Sequence, residues 1–271
     1  MFRNLLLVGG DKRALHLAKL LREDGYLVDG IGLSRGDERT ARIEEADALL
    51  FPYPFSVRED CVPCLSGLTL HPRDVLPRAK PGAVLLAGRG LEADGPFVLK
   101  RYMSCDALEE RNADISAEAS VHEAMGRMDT ALMDATVLVT GYGRFGRALA
   151  RRLRALGARV WVAARREEAR LLAASDGMRA VSLLDLHEVL PKVDMVLSTV
   201  PARVLGEAEL RAMRPGTWLL ELASAPYGFD RDLAGALGLH AEVLPGLPAR
   251  YAPRSAALAL RHAVIRLLLE V

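Results

Sequence analysis

The chain has no apolar run approaching the roughly 18 residues that span a bilayer. Its start, Met1-Phe2-Arg3-Asn4-Leu5, lacks the charged region, apolar stretch and cleavage site of a secretory leader, so a cytoplasmic protein is expected. It also lacks an excess of either charge. With 36 basic against 35 acidic side chains and a formal net charge of +1, nothing electrostatic points to nucleic acid or to an anionic membrane. A small-molecule ligand fits better. Cysteine is scarce as well. Three cysteines cannot complete a disulfide framework. Cys61-Val62-Pro63-Cys64 is spaced like a redox pair or half a zinc site, but a second ligand pair is missing and no metal is expected.

What is present is a repeated pattern. A length of 271 residues, 51% of them hydrophobic, accommodates two domains of roughly 100 to 150 residues. Residues 5–10 read as a buried strand, Leu5-Leu6-Leu7-Val8, running into Gly9-Gly10, and Leu15, Ala18 and Leu21 follow at helical spacing. The same order returns at 137–157. There Val137-Leu138-Val139 leads into Gly141, then into a helix with Phe145, Leu149, Leu153 and Leu156 on one face. Leu21-Arg22-Glu23-Asp24-Gly25 corresponds to Leu153-Arg154-Ala155-Leu156-Gly157, and Lys80-Pro81-Gly82 to Arg214-Pro215-Gly216, at offsets of about 132 to 134 residues.

Strands alternate with helices in both halves, which predicts an α/β protein: two Rossmann-like, doubly wound parallel-sheet domains with a cleft between them. The expected division is a flavodoxin-like domain over 1–115, completed by a C-terminal helix 254–271, an interdomain helix over 116–132, and a nucleotide-binding Rossmann domain over 133–253. The interdomain helix is read from the spacing of Val121, Ala124, Met125, Met128 and Leu132.

The segment Gly141-Tyr142-Gly143-Arg144-Phe145-Gly146 follows an apolar strand, opens an amphipathic helix and leads to a second strand, Arg159 to Ala164. Its glycines permit a sharp turn, close approach of backbone to a pyrophosphate, and tight packing of helix on strand, so all six residues are expected at a dinucleotide. NAD sites usually carry Asp or Glu at the end of the second strand to bond the ribose 2′-hydroxyl. Here Arg165-Arg166 stand there, and guanidinium groups bond a 2′-phosphate, so NADP is the expected cofactor. The turn Gly9-Gly10-Asp11 is a degenerate copy whose carboxylate opposes a phosphate. Thr199-Val200-Pro201 and Ala223-Ser224 each follow an apolar strand at the edge where such sheets bind ligands, and are expected against the ribose and nicotinamide.

Several islands together resemble the dipicolinate synthase A-subunit family of spore-forming bacteria. They are Gly9-Gly10-Asp11-Lys12-Arg13, Asn112 to Glu118, the glycine motif with Arg144, Ser198-Thr199-Val200-Pro201, Glu221 to Pro226, and Pro245-Gly246-Leu247-Pro248 followed by Ala252-Pro253. The resemblance implies NADP-dependent oxidation of dihydrodipicolinate, a branch-point compound of lysine biosynthesis, to dipicolinate during sporulation. It also implies an oligomer with a flavoprotein-like B subunit. The chain departs from the family where Ala249-Arg250 replace Gly-Lys, Arg254 replaces Lys, and Ala256-Ala257 replace Ala-Gly.

Aromatising a dihydropyridine means removing a hydride and a ring proton while two carboxylates are held. Arg250, Arg254 and Arg144 are candidate carboxylate partners, with Asn112 as a further substrate contact. Glu118 is the candidate base, although a first-turn glutamate is also favoured by the helix dipole. None of the six histidines falls in an island, so histidine catalysis is not expected. Two other readings stand beside this one: another two-domain NAD(P)-dependent dehydrogenase acting on an amino or hydroxy acid, and a non-catalytic NADP-binding subunit.

Overall fold

The computed structural model describes residues 3–52, 61–88, 91 and 94–270. The chain forms two compact units, Met1–Asn112 with Pro248–Val271, and Ala113–Leu247.

In the first unit, β1 (Asn4–Val8), β2 (Leu27–Ile31), β3 (Ala48–Leu50), β4 (Val84–Ala87) and β5 (Val98–Arg101) form one sheet in the order β2-β1-β3-β4-β5. All its pairings are parallel. A parallel strand covered on both faces reads as an unbroken apolar run, and β1 does so. Leu5 and Leu7 pack with Leu17 and Leu21 of α1 (Lys12–Glu23), while Leu6 and Val8 pack on the other face with Leu49 and Leu85. Leu15, which the spacing placed on the buried face of α1, is exposed; Leu17 is buried instead. A short helix α2 (Pro72–Val75) precedes β4.

Helix α3 (Asp106–Met125) contains the boundary between the units. It starts ten residues earlier than the 116–132 expected from apolar spacing and stops at Met125, before Gly126. The spacing misled because Met128 and Leu132 still face the second core, from a turn and from a 3₁₀ turn over Leu132–Asp134.

The second unit contains β6 (Thr136–Thr140), α4 (Arg144–Ala155), β7 (Arg159–Ala163), α5 (Glu167–Ser175), β8 (Arg179–Val181), β9 (Met195–Ser198), α6 (Glu207–Arg211), β10 (Trp218–Glu221), α7 (Arg231–Ala236) and β11 (His240–Val243). Its six parallel strands run β11-β10-β9-β6-β7-β8. Strand order reverses at β6/β9, the point where doubly wound sheets of this order bind dinucleotides. Val137 and Val139 pack with Leu149 and Leu153 on one face, and Leu138 with Val196 and Leu219 on the other.

The repeat has a backbone counterpart. Gly25 and Gly157, which end α1 and α4, adopt φ of +90° and +92°. Only a residue without Cβ sits there at little cost, so the same stop is written twice. The chain then returns to the first unit through α8 (Leu247–Tyr251) and α9 (Pro253–Leu269). Helix α9 buries Ala257, Ala263, Val264 and Leu268 with Leu17 and Leu21 of α1, and Arg261 pairs with Asp24. Ala257, where the resembled family has glycine, is thus a core residue. No helix among the described residues is long and apolar enough to cross a membrane.

Candidate functional site

The second unit gathers the expected nucleotide residues at the C-terminal ends of four neighbouring strands. Gly141 to Gly146 follow β6, Arg165 and Arg166 follow β7, Thr199 to Pro201 follow β9, and Ala223 and Ser224 follow β10. Gly141 turns with φ of +87°, and its N–H donates to the Ala163 carbonyl at 2.7 Å. A Cβ at Gly146 would meet the Gly141 carbonyl oxygen, with Thr199 Oγ1 at 3.0 Å. Helix α4 therefore sits as close to the strand-end turn as a backbone can. Thr199 Oγ1 is itself turned inward, donating to the Thr140 carbonyl at 2.6 Å.

Gly143 is different. It is the N-cap residue of α4 and offers the first-turn amides no side-chain cap. A Cβ placed on it would meet no protein atom within 4 Å. Uncapped helix amides beside open space are the donor set that a pyrophosphate uses. The corresponding turn of the first unit is closed. Asp11 accepts the Arg13 N–H at 2.9 Å and pairs with the Arg13 guanidinium at 2.7 Å, so α1 carries its own anion.

Tyr142, named for the nucleotide on its place in the motif, is buried and donates its hydroxyl to Asp176 at 2.7 Å. It can offer a ligand only its backbone. Asp176 also accepts from Arg147 at 3.0 Å and Arg151 at 2.8 Å, which ties the glycine turn to α4 and to the end of α5. Hydrogen bonds from Arg151, then Tyr142, hold this carboxyl well below its ordinary value of 3.8.

A depressed carboxyl stabilises the fold above its unfolded pKa, and that contribution fades as pH falls through the lower, folded value. Asp176→Asn is expected to cost about 2 kcal/mol at neutral pH. Denaturation followed against pH should then show a shallower loss of stability below pH 3.8 in the variant than in the parent. Parallel curves would mean that Asp176 does not carry this linkage.

Beneath the nucleotide edge lies a polar row with no local sequence signature. Thr140, Ser198 and Glu221 end β6, β9 and β10; Ser198 is in register with both neighbours, and all three are fully buried. Glu221 accepts the Ala223 N–H at 2.9 Å and the Gly228 N–H at 2.6 Å, so it fixes both ends of the loop that carries Ser224. Burial pushes its carboxyl up from 4.5, against those backbone hydrogen bonds. The Ser198 hydroxyl lies close to the same carboxylate but lacks hydrogen-bond geometry, and it is the buried side-chain polar atom without a partner among the described residues.

The substrate candidates are distributed over both units. Glu118 and Arg144 are exposed in the second, Glu118 in the middle of α3 rather than in a first turn, so the dipole argument for it does not apply. Arg250 in α8 and Arg254 near the start of α9 are exposed in the first. Asn112 lines a cavity of about 60 Å³ in the first unit, at the ends of β1 and β3, with Asp11, Arg13 and otherwise mainly apolar walls such as Leu50, Tyr102 and Leu260. Cys61 and Cys64 are free, and burial foremost pushes the Cys64 thiol up to about 11, far from the reactive range. Among the described residues no cluster of three His, Cys, Asp or Glu could hold a metal.

A family model described as D-isomer specific 2-hydroxyacid dehydrogenase, NAD binding domain, matches residues 104–240. The dipicolinate synthase A subunit of Bacillus subtilis (strain 168) is 27% identical over 285 residues, covering 98% of this chain and 96% of that protein. The crystal structure of the dipicolinate synthase A subunit from Bacillus halodurans superposes with a TM-score of 0.87 at 26% identity, over 98% of this chain and 97% of that one. The crystal structure of the Bacillus subtilis protein gives 0.85 at 25%, over 100% and 97%.

Proposed function

The chain belongs to the family of D-isomer specific 2-hydroxyacid dehydrogenase NAD-binding domains and is homologous along nearly its whole length to the A subunit of dipicolinate synthase. From that premise we propose that it oxidises dihydrodipicolinate to dipicolinate with NADP, as the A subunit of a two-subunit synthase. The near-complete coverage, 98% of this chain and 96% of that relative, carries the reading.

The nucleotide part rests on the site itself. The uncapped α4 amides and the open side of Gly143 fit a pyrophosphate. The end of β7 presents Arg165 and Arg166, both exposed, their guanidiniums without a hydrogen-bond or ion-pair partner among the described residues. A 2′-phosphate answers that unpaired positive charge, whereas a 2′-hydroxyl does not. When bound, the oxidised nicotinamide accepts the hydride that leaves the ring. Glu118 is assigned the ring proton. Arg250, Arg254 and Arg144 are assigned the two carboxylates, with Asn112 as a further contact. Glu221 holds the Ala223 to Gly228 loop still, so that Ala223 and Ser224 meet the nicotinamide end in one geometry.

The test is NADPH formation from enzymatically generated dihydrodipicolinate, with and without the B subunit of a related synthase. NADPH should accumulate with the partner present, and Glu118→Gln should cut the rate by about 10² or more while NADP binding is kept. Failure to form NADPH in the presence of the partner would sink the reading.

A further inference from the structure

Arg170 lies in the early part of α5, where a basic side chain opposes the helix dipole, and Glu167 and Glu168 already supply the acidic first turn. What it touches explains its place. Its Nη1 donates to two successive carbonyls, Ala164 at 3.0 Å and Arg165 at 2.8 Å, and its own N–H donates to the Arg166 carbonyl at 3.3 Å. Three consecutive peptide oxygens at the end of β7 thus accept from one residue. The Ala164 N–H is held from the other side by the Val181 carbonyl at 3.2 Å. The backbone that carries Arg165 and Arg166 is therefore fixed, while both guanidiniums remain exposed and unpaired among the described residues.

Two adjacent like charges on a mobile turn would spread apart into water. On a pinned backbone they stay together, and the loss of freedom that a dianion would otherwise have to impose is already met. We propose that Arg170 is a specificity-positioning residue: by holding the carbonyls of residues 164 and 165 with its guanidinium it aims Arg165 and Arg166 at a phosphomonoester on the adenosine ribose, so the preference for NADP over NAD depends on it. The proposal rests on the NADP reading. It adds a residue that acts through the backbone of the other two.

Binding of NADPH and NADH, followed by their fluorescence, separates the possibilities in the parent, Arg170→Ala, Arg170→Lys and the double variant Arg165→Ala/Arg166→Ala. The double variant should lower the ratio of NADPH to NADH affinity by about 100-fold, roughly tenfold for each guanidinium removed. Arg170→Ala should lower that ratio by about tenfold and leave NADH affinity within about twofold. Arg170→Lys should fall between, since one ammonium can bond both carbonyls as Nη1 does, but from a shorter side chain.

A prop for the fold alone would reduce both nucleotides equally, and that result overturns the inference. So does an unchanged ratio in Arg170→Ala when the double variant collapses it, an outcome that leaves the NADP reading intact. An unchanged ratio in the double variant removes both. If Arg170→Ala binds neither nucleotide, Arg170→Lys decides: a lowered ratio there supports positioning, and equal weakening of both nucleotides at the parental ratio overturns it.

Discussion

Gly146→Ala is expected to destabilise the protein by about 3 kcal/mol and to abolish nucleotide binding, whereas Gly143→Ala should abolish binding and leave the fold nearly intact. The added methyl at 146 would enter the Gly141 carbonyl oxygen, with the Gly141 carbonyl carbon and Thr199 Oγ1 both at 3.0 Å. Two of those atoms are backbone of the strand-end turn and cannot swing aside. Helix α4 would have to withdraw from β6, carrying the Leu149 and Leu153 packing with it.

At Gly143 the backbone is extended, with φ of −77° and ψ of −171°, and the methyl meets no protein atom. The only stability term is the weaker N-cap propensity of alanine, at most about 1 kcal/mol. Its effect on binding comes from occupying the space beside the α4 amides. Urea denaturation read together with NADPH titration gives both quantities. A Gly143→Ala protein that binds NADPH like the parent would show that the pyrophosphate does not lie there.

The second large effect lies in the buried row of Thr140, Ser198 and Glu221. Gly228→Ala would press a methyl into Ser198 Oγ, with Glu221 Oε2 at 3.1 Å and Ser198 Cβ at 3.4 Å. About 2 to 3 kcal/mol of destabilisation is expected, the usual cost of overpacking a core. Ser198→Ala should be close to neutral, because the hydroxyl it removes is buried and makes no hydrogen bond, so no partner is left unsatisfied.

The double variant Gly228→Ala/Ser198→Ala should recover most of the loss, since the remaining nearest atoms are at tight or ordinary contact distance. A coupling of about 1.5 kcal/mol or more in the double-mutant cycle is the expected reading. Strict additivity would mean that the clash is relieved elsewhere, for example by the 223–228 loop moving off Glu221. In that case Ser198 is not what limits residue 228.

Much of this fold is encoded within short stretches. The unbroken apolar run of β1 and that of β6, the glycines ending α1 and α4 with matching positive φ, and the charge reversal at Arg165-Arg166 are each local. A strand buried on both faces, a helix stop and a basic strand end follow from a few adjacent residues. Even the mistaken extent of α3 was local in origin, because Met128 and Leu132 keep a helical rhythm while packing from turns.

Tyr142 marks the limit of such reading. Its place in the glycine motif implies a nucleotide contact, and a partner 34 residues away, Asp176, draws the phenol inward and leaves only the backbone to make it. The sequence by itself therefore determined two parallel-sheet units, the glycine turn and the basic end of β7, because periodicity, backbone freedom and charge act over a turn or a strand. Only the tertiary structure decided that Thr140, Ser198 and Glu221 form one buried row and that Asp176 anchors the glycine turn. It alone decided, too, that Arg170 turns back on the carbonyls of residues 164 and 165. Strand register and side-chain direction arise from packing between distant segments, and no spacing within a segment encodes them.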